Sequence, residues 1–437
     1  MKRFFLFVVA ASMSLLAEAG GLMTNTNYHI AFDRMFARGA TSEIDATYSN
    51  PAGLVWGREG LQLSLNFQKP WQNRDIEANV PALGLNKTYK GEASAPVVPA
   101  LFAVYKQDRW AVSTMIGIVG SGGFVKYDEG VPMFTAPIMA RLAAGGLQPG
   151  TYDLDAQMKG KQYIYGGQVN FSYKLTDYLS AAVGLRANYY DGYYRGHVVA
   201  QGGPVKYVNL QLDCSQKGWG FNPLVSVNYH QDKLSLAARY EFRTKINVPN
   251  DTKELSADVV GMSPQQVQAA FGDKIAAYQD GVKTRYDMPS LLVLAAQYEF
   301  TPKLRAAAEY HFYDDKNAKM SGNRQENLEH GTHEVLLGAE YDINDRFTVS
   351  LGGQRTDYGL ADDYQTHTSF ACDSYSLGCG AAVNLTKNVR LNVSYFCTLY
   401  SDYKKEQANY QGLPGVAGSD TFSRTNHVIG LGLDYKF

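Results

Sequence analysis

The chain has 437 residues, of which 45% are hydrophobic, 13% aromatic and 19% charged. Its formal net charge of −1 gives no sign of the basic surface that nucleic-acid binding requires, so we expect no nucleic-acid partner. Beyond the N-terminus, no apolar run approaches the ~20 residues of a membrane-spanning helix, which excludes a helical membrane protein.

The N-terminal 19 residues have the pattern of a secretory signal peptide. Lys2 and Arg3 precede a short apolar run over residues 4–16, and residues 17–19 form a small-x-small cleavage site. We therefore expect residues 1–19 to be a signal peptide that directs the chain to an oxidising compartment.

Residues 20–59 lack the alternation of strands. A terminal segment is usually an exposed tail. This one carries many apolar side chains that would lie unfavourably in water: Phe32, Met35, Phe36, Ile44, Leu54 and Val55. The segment is therefore either a periplasmic tail or, as we favour, a plug folded inside the remainder of the chain.

From residue 60 to residue 437, apolar and polar residues alternate, and fourteen candidate strands can be marked. Short connections alternate with long ones, which is typical of outer-membrane barrels with both termini on the periplasmic side. The short connections are residues 107–109, 176–177, 231–232, 301–303, 344–345 and 386–387. The long connections are residues 70–96, 120–160, 200–216, 248–284, 316–331, 358–368 and 401–423.

The last strand shows the alternation clearly, because Ile429, Leu431, Leu433, Tyr435 and Phe437 share one face. Other strands place charges on the opposite, inner face: Arg186, Arg239, Glu241, Arg305, Glu309, Glu340 and Arg390. A soluble sandwich would seldom turn so many charges inward, since a buried charge is costly unless it is paired or hydrated. The sequence therefore predicts an all-β fold, a 14-stranded antiparallel transmembrane β-barrel with an N-terminal hatch in its lumen.

The cysteines are Cys214, Cys372, Cys379 and Cys397, which permit two disulfides in three connectivities. By strand parity, Cys379 and Cys397 both point outward on neighbouring strands, so that a bridge between them is conceivable. We favour the alternative that they are small, lipid-facing apolar residues. No Cys-x-x-Cys or clustered Cys/His spacing predicts a metal site, and we expect no cofactor.

Residues 39–54 carry a recognisable signature. Gly39-Ala40 and Asp45-Ala46 are followed by Tyr48-Ser-Asn-Pro-Ala-Gly-Leu54. This block closely resembles the hatch signature of the FadL-type (TodX-like) outer-membrane transporter family, and the hatch residues that it implies are Asn50, Pro51, Ala52 and Gly53. Further similarity lies at residues 217–223, 240–246, 288–289 and 333–341. The resemblance implies a fourteen-stranded barrel (60–437) with an N-terminal hatch (20–59) in the outer membrane of a Gram-negative bacterium.

The resemblance also implies a function, the uptake of long-chain fatty acids or other hydrophobic compounds. Ligand would enter an apolar extracellular groove, pass to a lumen pocket and leave sideways beside a kinked third strand. Here the third strand, residues 110–119, runs into Gly120, Gly122 and Gly123, where we place the lateral opening. An ordinary glycine-rich loop start is the equal alternative.

Two long connections are candidates for the groove. Residues 263–266 have the sequence of a helix N-terminus, with a capping serine, a proline at the first position and a glutamine at the third. The groove residues that we predict are Phe134, Ile138 and Leu142 in one connection and Val267, Phe271 and Ile275 in the other. The alternative is that the two connections pack on each other as a lid without a ligand.

Arg186 and Arg239 are candidates for holding a ligand carboxylate, because a guanidinium can bind one with two hydrogen bonds. Each could equally be tied to Glu241, Glu309 or Glu340 in an ion pair. His311 is the one histidine in mid-strand that faces inward; without a clear serine and acidic partner, it does not predict an enzyme.

Two other functions remain open. One is a nonspecific porin, and the other is an accessory factor in lipid modification or protein secretion. We expect no catalytic residues. The expected partners are a hydrophobic ligand, outer-membrane lipid and lipopolysaccharide, and the barrel-assembly machinery through the strand that ends at Phe437; we expect a monomer.

Overall fold

The structure is a computed structural model that describes residues 28–95, 97–267 and 276–437. The expected signal peptide lies outside these residues. Within the described ranges, no helix is long and apolar enough to cross a bilayer.

The chain forms one antiparallel sheet of fourteen barrel strands, four of which are interrupted and resume in the same direction. The strands are β1 Gly60–Val80, β2 Leu85–Ser94 with Val98–Gln107, β3 Trp110–Tyr127, β4 Asp153–Lys174, β5 Leu179–Gly202, β6 Val205–Gln231, β7 Leu234–Glu241 with Asn247–Val259, β8 Lys283–Arg285 with Leu291–Thr301, β9 Leu304–Tyr313, β10 Thr332–Asp342, β11 Phe347–Asp357, β12 Ser374–Asn384, β13 Val389–Tyr400 with Tyr403–Gln407, and β14 Gly418–Lys436.

The sheet closes on itself because β14 pairs with β1. The register runs from Gln62 opposite Lys436 to Asn79 opposite Ser419. Closure at this seam removes the two open sheet edges that β1 and β14 would otherwise expose to lipid. The prediction of a closed 14-stranded barrel is confirmed.

All six predicted short turns join neighbouring strands, and they lie at the same end of the barrel. We call that end the turn end and the opposite end the loop end. Five of the seven predicted long connections are too long, because strands extend into residues 70–96, 120–160, 200–216, 248–284 and 401–423. β1 continues to Val80 through the predicted connection 70–96, and β5 and β6 meet in a tight hairpin at residues 203–204 within 200–216. The reason is that the inward and outward alternation continues there with polar side chains, which pair as well as apolar ones where water covers the outside.

The outer wall carries an apolar belt. On β5, Leu179, Val183 and Leu185 are exposed and face outward. The belt on this strand ends at Tyr189, whose ring centroid lies 4.8 Å from that of Trp219 on β6. The rise from Leu179 to Tyr189 is about 25 Å when ~3.3 Å per residue is corrected for a strand tilt of ~40°, which matches the apolar band of a membrane barrel.

The helices that accompany the strands include α1 Ile30–Met35, α2 Ala46–Ser49 and α3 Pro132–Ala144. A 3-10 helix at Pro51–Trp56 follows α2, and shorter 3-10 turns lie at Pro81–Leu83, Asp315–Asn317, Ser321–Asn327 and Tyr410–Gly412. α1 begins after His29, whose ring accepts a hydrogen bond from the backbone N–H of Ala31. The helix α3 lies within the predicted connection 120–160, where the sequence indicated only an apolar stretch.

Candidate functional site: the lumen, the wall gap and the mouth

Residues 28–59, which we call the hatch segment, lie inside the barrel. α1 packs against β10 to β14, and the 3-10 helix Pro51–Trp56 packs against β3 to β6 on the other side. Nearly every residue from His29 to Val55 is buried. The segment therefore crosses the lumen from one wall to the other.

Polar contacts fix α1 to β1 and β14. The backbone N–H of Ile30 donates to Asn66 Oδ1 at 3.1 Å. His29 Nε2 lies 3.1 Å from Asp434 Oδ1 and 3.0 Å from Ser64 Oγ. These contacts involve short side chains on strands, so they hold the start of the hatch segment in one position.

A charged network joins the hatch segment to the wall near the turn end. Its centre is Glu340 of β10, which is fully buried and pairs with Arg34 of α1 and with Arg305 of β9. The further pairs are Arg38 Nε to Asp45 Oδ2 at 2.8 Å, Arg38 Nη2 to Glu43 Oε2 at 2.6 Å, Arg305 Nη1 to Asp342 Oδ2 at 2.9 Å and Arg390 Nη1 to Glu43 Oε1 at 3.0 Å. Four arginines and four carboxylates balance, so the lumen holds these charges without leaving one unpaired.

The predicted hatch residues Asn50, Pro51, Ala52 and Gly53 form a tight turn against β4 to β7. Asn50 Nδ2 donates to Asn228 Oδ1 at 2.7 Å, and the backbone N–H of Ala52 donates to Ser226 Oγ at 3.0 Å. A side chain at Gly53 would collide with the carbonyl oxygen of Thr41. The signature residues thus fit the segment to the wall; that the segment moves during transport stays a prediction.

Arg186 and Arg239 are already engaged. Arg186 donates to Glu241 at 2.7 and 2.9 Å, and Arg239 Nη1 lies 3.0 Å from Glu241 Oε1. Both guanidiniums lie over the ring of Tyr48, at 4.6 and 5.3 Å from its centroid. The structure therefore shows both in ion pairs with Glu241 and in contact with the hatch segment; that either holds a ligand carboxylate stays a prediction.

The wall has a gap between β2 and β3. Pairing from the turn end stops at Leu101 opposite Ile116, and pairing from the loop end stops at Ala93 opposite Val125. Between these two positions, no backbone pair joins the described residues of β2 to β3. We call this stretch the wall gap. It is lined by Ile118 of β3.

β3 is bent along the wall gap. Its pairing with β4 shifts register at Val119 and again at Gly122, so each is a bulge residue. Gly123 has a φ of +75°, a conformation that other residues rarely adopt. Bulges bend a strand and increase its twist. The three glycines that the sequence assigned to a lateral opening (Gly120, Gly122 and Gly123) thus lie in the bent part of β3, and their use as an exit stays a prediction.

The two halves of the lumen differ in character. On the side of β2 to β8, hatch residues such as Ile44, Leu54 and Val55 pack with Ile164 and Tyr190 in one apolar cluster, which we call the lumen cluster. It also includes Val119 beside the wall gap, Ile246, Tyr286 and Met288. On the side of β9 to β14 lies the charged network.

A second apolar cluster, which we call the mouth cluster, fills the loop end. It includes Ile76, Val80, Tyr127, Met133, Ala136, Tyr194, Tyr278, Phe370, Cys372, Tyr410 and Phe422. α3 contributes Met133 and Ala136 and contacts the turns at Pro81–Leu83 and Tyr410–Gly412. The helix therefore covers the mouth of the barrel from within.

An apolar cleft lies between α3 and the inner face of β4 to β7. Its volume is about 740 Å³ when the solvent space on its open side is included. Met133, Phe134, Met158, Val198, Leu212 and Leu255 line it. Its almost wholly apolar lining is typical of sites for hydrophobic ligands.

The predicted groove residues are distributed as follows. Phe134 lines the cleft. Ile138, Leu142 and Val267 pack together beside it in one buried cluster, so part of the two connections does pack on itself. The helix N-terminus at Ser263 has both capping hydrogen bonds, between Ser263 and Gln266. Phe271 and Ile275 lie outside the described residues.

In the described part of the chain, His311 lies between two carboxylates and the four cysteines form no disulfide. His311 bridges Glu309 Oε2 at 2.8 Å and Glu334 Oε2 at 2.9 Å. All four cysteines are free; Cys379 is exposed on the outer wall, and Cys214 and Cys372 are buried. No cluster of metal-ligating side chains occurs within the described ranges.

Sequence reasoning missed two residues, Arg74 and Arg424. Arg74 falls in the predicted connection 70–96, and Arg424 directly follows the predicted connection 401–423; both lie on strands and face the lumen. A signal was present, because Arg74 continues the alternation of Ile76, Ala78 and Val80 on the inner face of β1.

Residues 259–437 match a family model described as outer membrane protein beta-barrel domain. The sequence has no match among curated proteins. Solved structures are similar over almost the whole chain.

A Pseudomonas aeruginosa FadL homologue has 13% sequence identity and a TM-score of 0.69, with 96% of this chain and 100% of that chain covered. The Pseudomonas putida toluene transporter TodX has 13% identity and a TM-score of 0.58, covering 98% and 99%. The Ralstonia pickettii toluene transporter TbuX has 13% identity and a TM-score of 0.55, covering 98% and 99%. The C-terminal part of the chain is thus similar to an outer-membrane β-barrel domain, and the fold of the whole chain is similar to that of these solved structures.

Proposed function

We propose that this protein takes up hydrophobic small molecules through the outer membrane and releases them sideways through the wall gap. The observation that carries the proposal is the position of the gap. The barrel is unpaired where β3 bends, and the lumen cluster reaches this place through Val119. The similar fold of two toluene transporters and a FadL homologue supports the assignment.

The route begins at the cleft under α3. A ligand there contacts Phe134, Val198 and Leu212, and each Å² of apolar surface removed from water contributes about 25 cal/mol. The cleft shares Met133, Met158, Leu212 and Tyr278 with the mouth cluster or its partly buried neighbours. Rearrangement of α3 would therefore pass a ligand from the cleft to the top of the lumen.

The middle of the route follows the apolar half of the lumen. Ile164, Tyr190 and Tyr286 line this half above the hatch segment, and the Tyr190 and Tyr286 rings lie 4.9 Å apart. The charged network on the other side offers no comparable surface, because every carboxylate in it is paired. A hydrophobic ligand would therefore stay on the β3 side, which leads to the wall gap.

A nonspecific porin is the less suitable function. The hatch segment crosses the lumen and is held by buried ion pairs, which argues against an open path for ions and polar solutes along the barrel axis. Release into the membrane plane avoids the hatch segment and suits only a ligand that is soluble in lipid.

The proposal is tested by linking β2 to β3 at the edge of the wall gap. A Cβ placed on Gly117 would lie 3.3 Å from the Cβ of Ala100, which is close to the separation in a disulfide. In a background without the native cysteines, Ala100→Cys with Gly117→Cys should form a bridge that prevents the strands from separating. We expect oxidised cells to lose uptake of radiolabelled palmitate and toluene, and a reducing agent to restore it.

Ala103→Cys with Thr114→Cys is the matched control, because these residues already oppose each other in the paired part of the ladder. Uptake should be the same in its oxidised and reduced forms. Unchanged uptake in the fully oxidised Ala100–Gly117 variant would rule out the wall gap as the exit.

A further inference from the structure

A row of basic side chains crosses the outer wall of the barrel toward the loop end. Lys126 of β3 is directly opposite Lys159 of β4, and Lys159 is directly opposite Arg195 of β5. All three alternate along their strands with buried residues such as Met158 and Tyr194, so they point outward. We call these three residues the basic row. Because neighbouring strands lie ~4.8 Å apart, the row is about 10 Å wide.

The basic row begins where the apolar belt ends. On β4 the last aromatic residue of the belt is Tyr163, and the next two outward residues toward the loop end are Lys161 and Lys159. On β6, Lys217 is the next outward residue beyond Trp219. A lipid with an anionic head group would therefore place its acyl chains against the belt and its head group against the basic row.

The acids beside the basic row compensate only part of its charge. Lys126 Nζ lies 2.5 Å from Asp128 Oδ1, and Arg195 Nε lies 2.9 Å from Asp213 Oδ1. Lys159, in the middle, forms no ion pair with a residue in the described ranges and has a cation on either side. Like charges directly opposite each other destabilise a sheet. An anion bound over Lys159 would remove this repulsion.

An aromatic ring positions two cations next to Lys159. The ring of Tyr193 has Lys161 Nζ 5.3 Å from its centroid and the Arg195 guanidinium 4.4 Å from it. Lys161 Nζ also lies 2.6 Å from Asp191 Oδ2. Cation–π contacts of this kind restrict the two basic side chains before any ligand arrives. Such ordering lowers the entropy that a bound anion would otherwise cost.

The excess of positive charge is confined to a few strands. Glu92 of β2 is opposite Lys126, and Glu254 of β7 is opposite Asp213, so acids border the basic row on both sides. A patch of this width fits one compact head group that carries more than one phosphate. The long connections of outer-membrane barrels lie outside the cell, so the lipid beside the row belongs to the outer leaflet.

We propose that Lys126, Lys159 and Arg195 form a binding site for the phosphorylated sugar head group of lipopolysaccharide, with its acyl chains against the apolar belt. The inference goes beyond the uptake function and does not depend on it. Phosphate oxygens accept charge-assisted hydrogen bonds from all three side chains, and the Arg195 guanidinium can donate two. A lipid without phosphate would leave the repulsion within the row in place.

The test measures equilibrium binding of fluorescent lipid A, in its bisphosphorylated and dephosphorylated forms, to the purified full chain in a non-ionic detergent. Wild type should bind the bisphosphorylated form more tightly. Lys159→Gln should weaken that binding about fivefold, the contribution of one basic side chain near an anionic lipid surface, and glutamine at all three positions should weaken it about a hundredfold. Binding of the dephosphorylated form should not change. Lys159→Arg keeps the charge and should bind as wild type does.

Arg355→Gln is the matched control, because Arg355 is an exposed outward cation on β11 whose opposite residues are Val335 and Tyr375. It should bind both forms as wild type does, and a loss equal to that of Lys159→Gln would reduce the effect to net charge and overturn the site. Heat-modifiable migration on a denaturing gel checks that each variant is folded. A folded triple variant with unchanged binding would refute the site, as would wild type that binds both forms equally or neither.

Competition identifies the source of the phosphate. Phosphatidylglycerol in mixed micelles and inorganic phosphate at equal ionic strength should each fail to displace bisphosphorylated lipid A at matched phosphate concentration. Displacement by phosphatidylglycerol would show a site for any anionic lipid, and displacement by inorganic phosphate would show a site for an adventitious ion only. Either result would overturn the assignment to lipopolysaccharide.

Discussion

Glu340 offers the sharpest test of what keeps the hatch segment in the lumen. Its side chain and that of Arg34 are both 0% exposed, and the two are paired across the boundary between the wall and α1. Glu340 also accepts a hydrogen bond from Ser350 Oγ at 2.7 Å and pairs with Arg305. Glu340→Gln keeps the shape of the side chain and removes the charge that compensates Arg34.

Removing one member of a buried ion pair typically costs about 3–5 kcal/mol, because the remaining charge is left without compensation. The Nε and Nη2 atoms of Arg34 have no hydrogen-bond partner in the intact protein, and its Nη1 has the neutral Ser350 Oγ as a further acceptor, which cannot replace the charge of the carboxylate. The lost free energy weakens docking of the hatch segment and not the barrel, since the backbone pairs of β10 with β9 and β11 do not depend on the charge of Glu340. At about 1.4 kcal/mol for each tenfold change, the undocked fraction should rise by two to three and a half orders of magnitude.

Planar-bilayer recordings would show this as frequent or sustained openings of the purified Glu340→Gln variant, with wild type closed. Heat-modifiable migration on a denaturing gel would confirm that the barrel itself remains folded. Glu406→Gln serves as the control, because the Lys404–Glu406 pair is solvent-exposed and such pairs contribute little. A folded Glu340→Gln barrel that conducts no more than the control would refute the role assigned to the ion pair.

Two further predictions concern other parts of the fold. A Cβ on Gly352 would collide with the backbone carbonyl of Met35, whereas a Cβ on Gly353 would meet no atom closer than 3.5 Å. Gly352→Ala should therefore displace the hatch segment and raise the ion conductance of the barrel. Gly353→Ala should leave the conductance unchanged. In the connection between β9 and β10, outside the membrane-spanning strands, burial raises the pKa of Asp315 to about 7. The folded state then holds this proton more tightly than the unfolded state, so stability is lost as pH rises from about 4 to about 7, by up to ~4 kcal/mol. Asp315→Asn should abolish this decline in thermal unfolding; an equally steep decline in the variant would show that another group causes it.

Strand parity and turn chemistry were sufficient to predict most of the barrel. The alternation around Leu431 and Leu433 depends only on the two-residue period of a strand, and clusters such as those at residues 301–303 can form only turns. The same parity placed Arg186 and Glu241 in the lumen, where they do form an ion pair.

Other features depend on contacts between distant parts of the chain. The lengths of β5 and β6 could not be read from a lipid-facing apolar pattern, because beyond the membrane belt the outer face becomes polar and the inner face apolar, as at Tyr194 and Val198. Arg74 was assigned to a connection for the same reason. The wall gap requires knowing that β2 and β3 stop pairing at Leu101, which no local pattern in either strand reveals.

The height of the β5–β6 hairpin determines how far the cleft under α3 lies from the membrane. Val198, in the wall of the cleft, comes nine residues after Tyr189, which ends the apolar belt. At ~3.3 Å per residue and a tilt of ~40°, the cleft stands on the order of 20 Å above the hydrocarbon boundary. Under the proposed uptake function, a hydrophobic ligand would therefore bind well outside the hydrocarbon layer before it reaches the acyl chains of the membrane.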